Sequence, residues 1–100
     1  MNQITTHISQ DIIIDSPTKL VGMISGNVSL ENSTDFLIEG FINGDITVQS
    51  NSTLIVHGTI NGNIINAGLV KIFGRINGKL IENGGSFEID PKAIIKTKES

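Results

Sequence analysis

Aliphatic and polar side chains alternate with a period of two along almost the whole chain. Ile8, Ile12 and Ile14 open the series, and Leu20, Ile24, Val28 and Leu30 continue it. Fuller runs follow: Phe36, Ile38, Ile42, Ile46 and Val48, then Leu54, Val56, Ile60 and Ile64, then Val70, Ile72, Ile76 and Leu80. Phe87, Ile89, Ala93 and Ile95 begin a last run. Small and polar residues separate the runs at 15–19, 31–35, 49–53, 66–68 and 82–86. Such alternation, punctuated by Asn, Ser, Asp and Gly, predicts short strands, and the abundance of Ile and Val reinforces the reading. No window carries the i, i+3, i+4, i+7 spacing of a helix, so an all-β chain is predicted. From Leu20 to Leu80 the patterned aliphatics are even-numbered, which places one parity inside. A 17-residue step from Ile72 to Ile89 moves the pattern to odd numbers. Strands hold a face only across an even count, so changes of length are expected in the turns.

One five-residue stretch recurs within this pattern. It reads Gly22-Met23-Ile24-Ser25-Gly26, Gly40-Phe41-Ile42-Asn43-Gly44, Gly58-Thr59-Ile60-Asn61-Gly62 and Gly74-Arg75-Ile76-Asn77-Gly78. Its first glycines lie 18, 18 and 16 residues apart (40−22, 58−40, 74−58). Fixed spacing of this size marks a repeat architecture in which each unit buries its apolar face against its neighbours. The prediction is a single-domain β-solenoid of about five to six rungs, stacked ~4.8 Å apart over roughly 25 Å. Ile24, Ile42, Ile60 and Ile76 form one inward column. The flanking glycines share its parity and are read as a structural corner, where a narrow bend leaves no room for a side chain. Asn43, Asn61 and Asn77 fall in one outward column, a geometry in which stacked amides hydrogen-bond along the axis.

The repeated Gly-x-Ile-Asn-Gly core, the 16–18-residue rungs and the small polar turns resemble bactofilins, bacterial polymer-forming cytoskeletal proteins. The resemblance spans residues 8–95, flanked by a short N-terminal segment (1–7) and a C-terminal tail (96–100). It implies a right-handed parallel β-helix of triangular cross-section that polymerises end to end without nucleotide and often associates with the membrane.

Composition narrows the function classes. One hundred residues allow one domain with a modest core. The absence of Cys excludes disulfides and thiolate metal sites. A net charge of −3 argues against a nucleic-acid partner, which needs a clustered basic surface. Residues 1–66 carry six acidic groups against Lys19 (−5), whereas 67–100 carry six basic against four acidic (+2). Opposite signs would favour head-to-tail contacts between copies, and the resemblance implies head-to-head and tail-to-tail ones, so the order of the joint stays open. The opening residues lack a basic and an apolar signal region, and no apolar run reaches spanning length, so a cytoplasmic protein is expected.

Assembly is the function this pattern points to. Neither a polar cap nor a capping helix is read at either end, and open β-helix ends invite stacking of further copies. The expected joints are Ile8, Ile12 and Ile14 at the N-terminal rung and Phe87, Ile89, Ala93 and Ile95 at the C-terminal rung. The partner is the chain itself. A candidate lateral interface comprises outward Met23, Leu37, Phe41 and Ile55, an apolar ridge for another protein or the inner face of a membrane. No cofactor is implied. Two further readings compete with assembly. Aliphatics also recur every six residues (Ile24, Leu30, Phe36, Ile42, Val48, Leu54, Ile60), which resembles the hexapeptide repeat of left-handed β-helix acyltransferases. Their catalytic His would have to be His7 or His57, and His57, outward between Val56 and Gly58, has no acid at dyad spacing. With no paired carboxylates, phosphate loop or metal-ligand cluster either, the chain is not expected to be an enzyme. The other reading is a small β-helical binding protein, such as an immunity or regulatory factor.

Overall fold

A computed structural model describes residues 1–31 and 33–96 of the chain. Asn32, in the predicted 31–35 turn, and residues 97–100 of the predicted tail lie outside the described residues. The described chain is a parallel β-solenoid of 17 short strands without a helix. Its three sheets form the three sides of the coil.

The first side stacks β1 (Asn2–Ile4), β4 (Thr18–Leu20), β7 (Asp35–Ile38), β10 (Thr53–Val56), β13 (Leu69–Ile72) and β16 (Ser86–Ile89). The second stacks β2 (His7–Ile8), β5 (Met23–Ser25), β8 (Phe41–Asn43), β11 (Thr59–Asn61), β14 (Arg75–Ile76) and β17 (Ile94–Ile95). The third stacks β3 (Ile12–Ile14), β6 (Val28–Leu30), β9 (Ile46–Val48), β12 (Ile64–Asn66) and β15 (Leu80–Glu82). Six residues per side in a regular turn explain why aliphatics also recur at six. Residues 1–7 are not a separate segment: Asn2, Gln3 and Ile4 pair with Thr18, Lys19 and Leu20 and belong to the first turn.

The parity pattern holds. Every fully buried aliphatic from Leu20 to Ile76 is even-numbered, and Phe36 fills the core beside them. On the second side Ile8, Ile24, Ile42, Ile60, Ile76 and Ile95 stack directly on one another. β-Branched side chains of one shape interlock along such a column because strands repeat the same rotamer at the same height. The register also locates the length changes. Asn66 pairs with Val48 but Leu69 with Thr53, so the two missing residues fall at the third corner. One further residue enters that corner between Leu80 and Phe87, and it is this addition that switches the parity. Gly84 lies in this lengthened bend with φ of 92°, and Asn51 takes φ of 68° in the 49–53 bend of an earlier turn.

The glycine corner has a different cause from the one expected. The crowding lies between turns rather than inside the core. A Cβ on Gly40 would overlap the Gly22 carbonyl, one on Gly58 the Gly40 carbonyl, and one on Gly74 the Gly58 carbonyl. Gly26, Gly44, Gly62 and Gly78 meet the preceding turn in the same way at the second corner. Hydrogen bonding draws the turns together there: the N–H groups of Glu39 and Gly40 both donate to the Leu20 carbonyl, at 2.8 and 3.0 Å. Backbone cannot step aside, so Gly58→Ala is expected to destabilise by about 3 kcal/mol or more, the upper range of overpacking. Gly84 has open space and only its φ to maintain, so Gly84→Ala should lose about 1–2 kcal/mol. Chemical denaturation of the two variants checks the ranking.

Candidate functional site

Two polar ladders run up the outside of the coil beside the second side. In the first, the Asn61 amide donates to Asn43 Oδ1 and the Asn77 amide to Asn61 Oδ1, each at 2.7 Å. In the second, backbone N–H groups donate to the Asx side chain one turn below. Asn27 bonds Asp11, Asp45 bonds Asn27, Asn63 bonds Asp45 and Lys79 bonds Asn63, at 2.8–2.9 Å. The first ladder was legible as a column of Asn. The second was missed, although its signal is present: Asp11, Asn27, Asp45 and Asn63 each follow the second corner position directly. These amides and carboxylates are engaged with one another and with the backbone, which makes the rows structural.

The outward apolar residues form two columns, not one ridge. Met23 stacks under Phe41 on the second side, and Leu37 stacks under Ile55 on the first. The corner between them carries Val21, Glu39, His57 and Phe73 in successive turns. Glu39 pairs with Lys19 at 3.4 Å, and the His57 ring stacks on Phe73 at 4.8 Å with an interplanar angle of 11°. Val21, Phe41 and Phe73 remain 46%, 48% and 43% exposed. His7 Nε2 lies 2.9 Å from Ser25 Oγ. Among the described residues neither His has a carboxylate partner, and no cluster of three metal-ligating side chains occurs.

The two end faces differ from the body of the coil. At the N-terminal face Ile4, Ile8 and Ile12 pack against the core but stay half-buried. Ile14, expected among them, is 4% exposed and belongs to the interior; Ile4 takes its place. At the C-terminal face Leu80, Phe87, Ala93 and Ile95 are half-buried against the core. Ile89 is 48% exposed. Among the described residues, β1, β2 and β3 have no strand on one edge, and neither do β15, β16 and β17 at the other end. Each face therefore presents apolar core residues ringed by unpaired backbone N–H and C=O groups, which a further layer of β-structure would satisfy.

The fold defines a three-sided parallel β-solenoid whose two end faces carry no further strand among the described residues. No protein-family model, curated protein or solved structure matches the chain. No described helix is long and apolar enough to cross a membrane.

The amide ladder gives a direct test of its structural role. Asn61→Ala removes the donor to Asn43 and the acceptor for Asn77, and is expected to destabilise by about 0.5–1.5 kcal/mol per lost bond, at the low end because the row is exposed. Denaturant titration of the variant against the parent measures it.

Proposed function

We propose that the protein is a bactofilin-like structural scaffold whose copies assemble end to end into filaments through their terminal turns, without nucleotide. The observation that carries this reading is the contrast between body and ends. The inward side chains from Leu20 to Ile76 are sealed at 0–2% exposure, whereas Ile4, Ile8 and Ile12 in the first turn and Leu80, Phe87, Ala93 and Ile95 at the other end are left half-buried. Apolar surface framed by open sheet edges gains both hydrophobic burial and main-chain hydrogen bonds when another copy covers it. No catalytic role is assigned: the titratable side chains are spread over the outside of the coil, and neither His is poised as a base.

A second reading is a monomeric binding module that docks a partner at the corner lined by Val21, Phe41 and Phe73. Exposed apolar side chains gathered at one edge support it.

Sedimentation separates the two. Purified protein should pellet on ultracentrifugation without nucleotide and show filaments by negative-stain microscopy. A monodisperse monomer over a wide range of concentration and salt would leave only the binding module. Within the assembly reading, Ile12→Arg and Phe87→Arg each place an unpaired charge in an apolar joint. Each is expected to raise the concentration needed for assembly by roughly 100-fold or more. Filaments that survive both changes would place the joint elsewhere.

A further inference from the structure

Four asparagines are followed directly by glycine: Asn43-Gly44, Asn61-Gly62, Asn77-Gly78 and Asn83-Gly84. Such a pair can react with itself. Glycine puts no side chain beside its own N–H, so that nitrogen can reach the asparagine side-chain carbonyl carbon and close a succinimide ring. Closure needs both groups free to move, and on that count the structure separates the last pair from the other three.

The first three pairs are held. Asn61 donates to Asn43 Oδ1 and accepts from the Asn77 amide, each at 2.7 Å, so closure at any of the three must first break the ladder. The glycines that follow cannot shift to help. A Cβ on Gly44 would overlap the Gly26 carbonyl, one on Gly62 the Gly44 carbonyl and one on Gly78 the Gly62 carbonyl. The Gly44 N–H is also engaged, donating to the Asn61 carbonyl at 3.2 Å. Asn51-Ser52, another pair with a small second residue, is blocked at its nucleophile: the Ser52 N–H donates to the Gln49 carbonyl at 3.1 Å.

The fourth pair lies in the lengthened bend between β15 and β16. The N–H groups of Asn83 and Gly85 both donate to the Asn66 carbonyl, at 2.8 and 3.2 Å, which anchors the bend on either side. Between them, neither the Gly84 N–H nor the Asn83 side-chain amide has a hydrogen-bond partner among the described residues. Both residues are exposed, and a Cβ on Gly84 would meet nothing within 4 Å.

We propose that Asn83-Gly84 is a self-modifying site, where the folded chain deamidates spontaneously while the ladder and its glycine corner keep Asn43, Asn61 and Asn77 intact. The Gly84 nitrogen loses its proton to solvent and attacks Asn83 Cγ. The Cγ–Nδ2 bond breaks, and Nδ2 leaves as ammonia. Water then opens the succinimide. Breaking the bond from the ring nitrogen to Cγ gives aspartate; breaking the bond to the main-chain carbonyl carbon gives isoaspartate, whose backbone runs through Cβ and Cγ. Water is the sole co-reactant. Either product places a new carboxylate in the bend and halves the +2 balance of residues 67–100. Isoaspartate also lengthens a bend that has already taken an added residue with the sheets on both sides still paired. Nothing in this chemistry depends on assembly.

Ageing the folded protein in mildly alkaline buffer, well below its melting transition, tests the proposal. Peptide mapping by mass spectrometry detects the exchange of NH for O at each site, and methylation by an isoaspartate methyltransferase counts the isoaspartate. Digestion in mild acid keeps the mapping from adding its own conversion. Asn83 is expected to convert roughly tenfold or more faster than each of Asn43, Asn61 and Asn77, because those sites must open locally before they can react. In denaturant the four rates should come together, since only the fold separates them. Gly84→Ala should slow conversion of Asn83 in the folded chain and in denaturant alike, because its side chain crowds the attacking nitrogen whether or not the bend is formed. Conversion of Asn83 no faster than at the ladder, rates that stay apart in denaturant, or undiminished conversion in the Gly84→Ala chain overturns the proposal.

Discussion

The coil depends on how closely its turns approach at two corners. At the first of these, paired N–H groups converge on one carbonyl of the turn below: Val21 and Gly22 on Ile4, His57 and Gly58 on Ile38, Phe73 and Gly74 on Val56. The convergence leaves α-carbons resting against carbonyl oxygens, and only glycine fits. Once the backbone is held this way, the residue between the glycines has no freedom of facing. Ile24, Ile42, Ile60 and Ile76 must enter the core, and each does so completely. The hydrophobic column is thus a consequence of the corners as much as a cause of the fold.

The outside of the coil answers a problem that close stacking creates. Corner N–H groups that have left the sheet ladder still need acceptors. The side chains of Asp11, Asn27, Asp45 and Asn63 supply them, one turn below each donor. At the third corner Ser52 accepts from the Thr34 N–H, and Asn66 bonds both the Gly68 N–H and the Ser86 carbonyl. No buried side-chain polar atom among the described residues lacks a partner. Polar residues at the bends therefore do for the backbone what the aliphatics do for the interior, and the two sets meet at every turn.

Much of this was legible in the chain because the repeat is regular. Parity alone separates the core from the surface, and the spacing of the Gly-x-Ile-x-Gly stretch sets the turn. The strand assignment and the length change between Gly58 and Gly74 follow from those two signals. Three features were not legible for physical reasons. The direction of crowding at the glycines depends on the inter-turn approach, which a sequence pattern does not express; parity suggested the core instead. The Asx ladder binds backbone rather than side chains, so it leaves no column of like partners to notice. The end faces were shifted by one strand because Asn2, Gln3 and Ile4 carry only one aliphatic, too little to show alternation, and pairing with Thr18, Lys19 and Leu20 is what recruits them.

The third corner stands apart from the other two. It carries Ser16, Thr34 and Ser52 where later turns carry Gly68 and Gly85, and it absorbs a gain or loss of one or two residues without moving a single core side chain. The three sides and the two glycine bends that join them in sequence are fixed by contact, while the remaining bend acts as an expansion seam. Such a seam is where a chain of this kind can acquire a loop, a graft or a whole inserted domain along one edge of the rod and still close every turn above it.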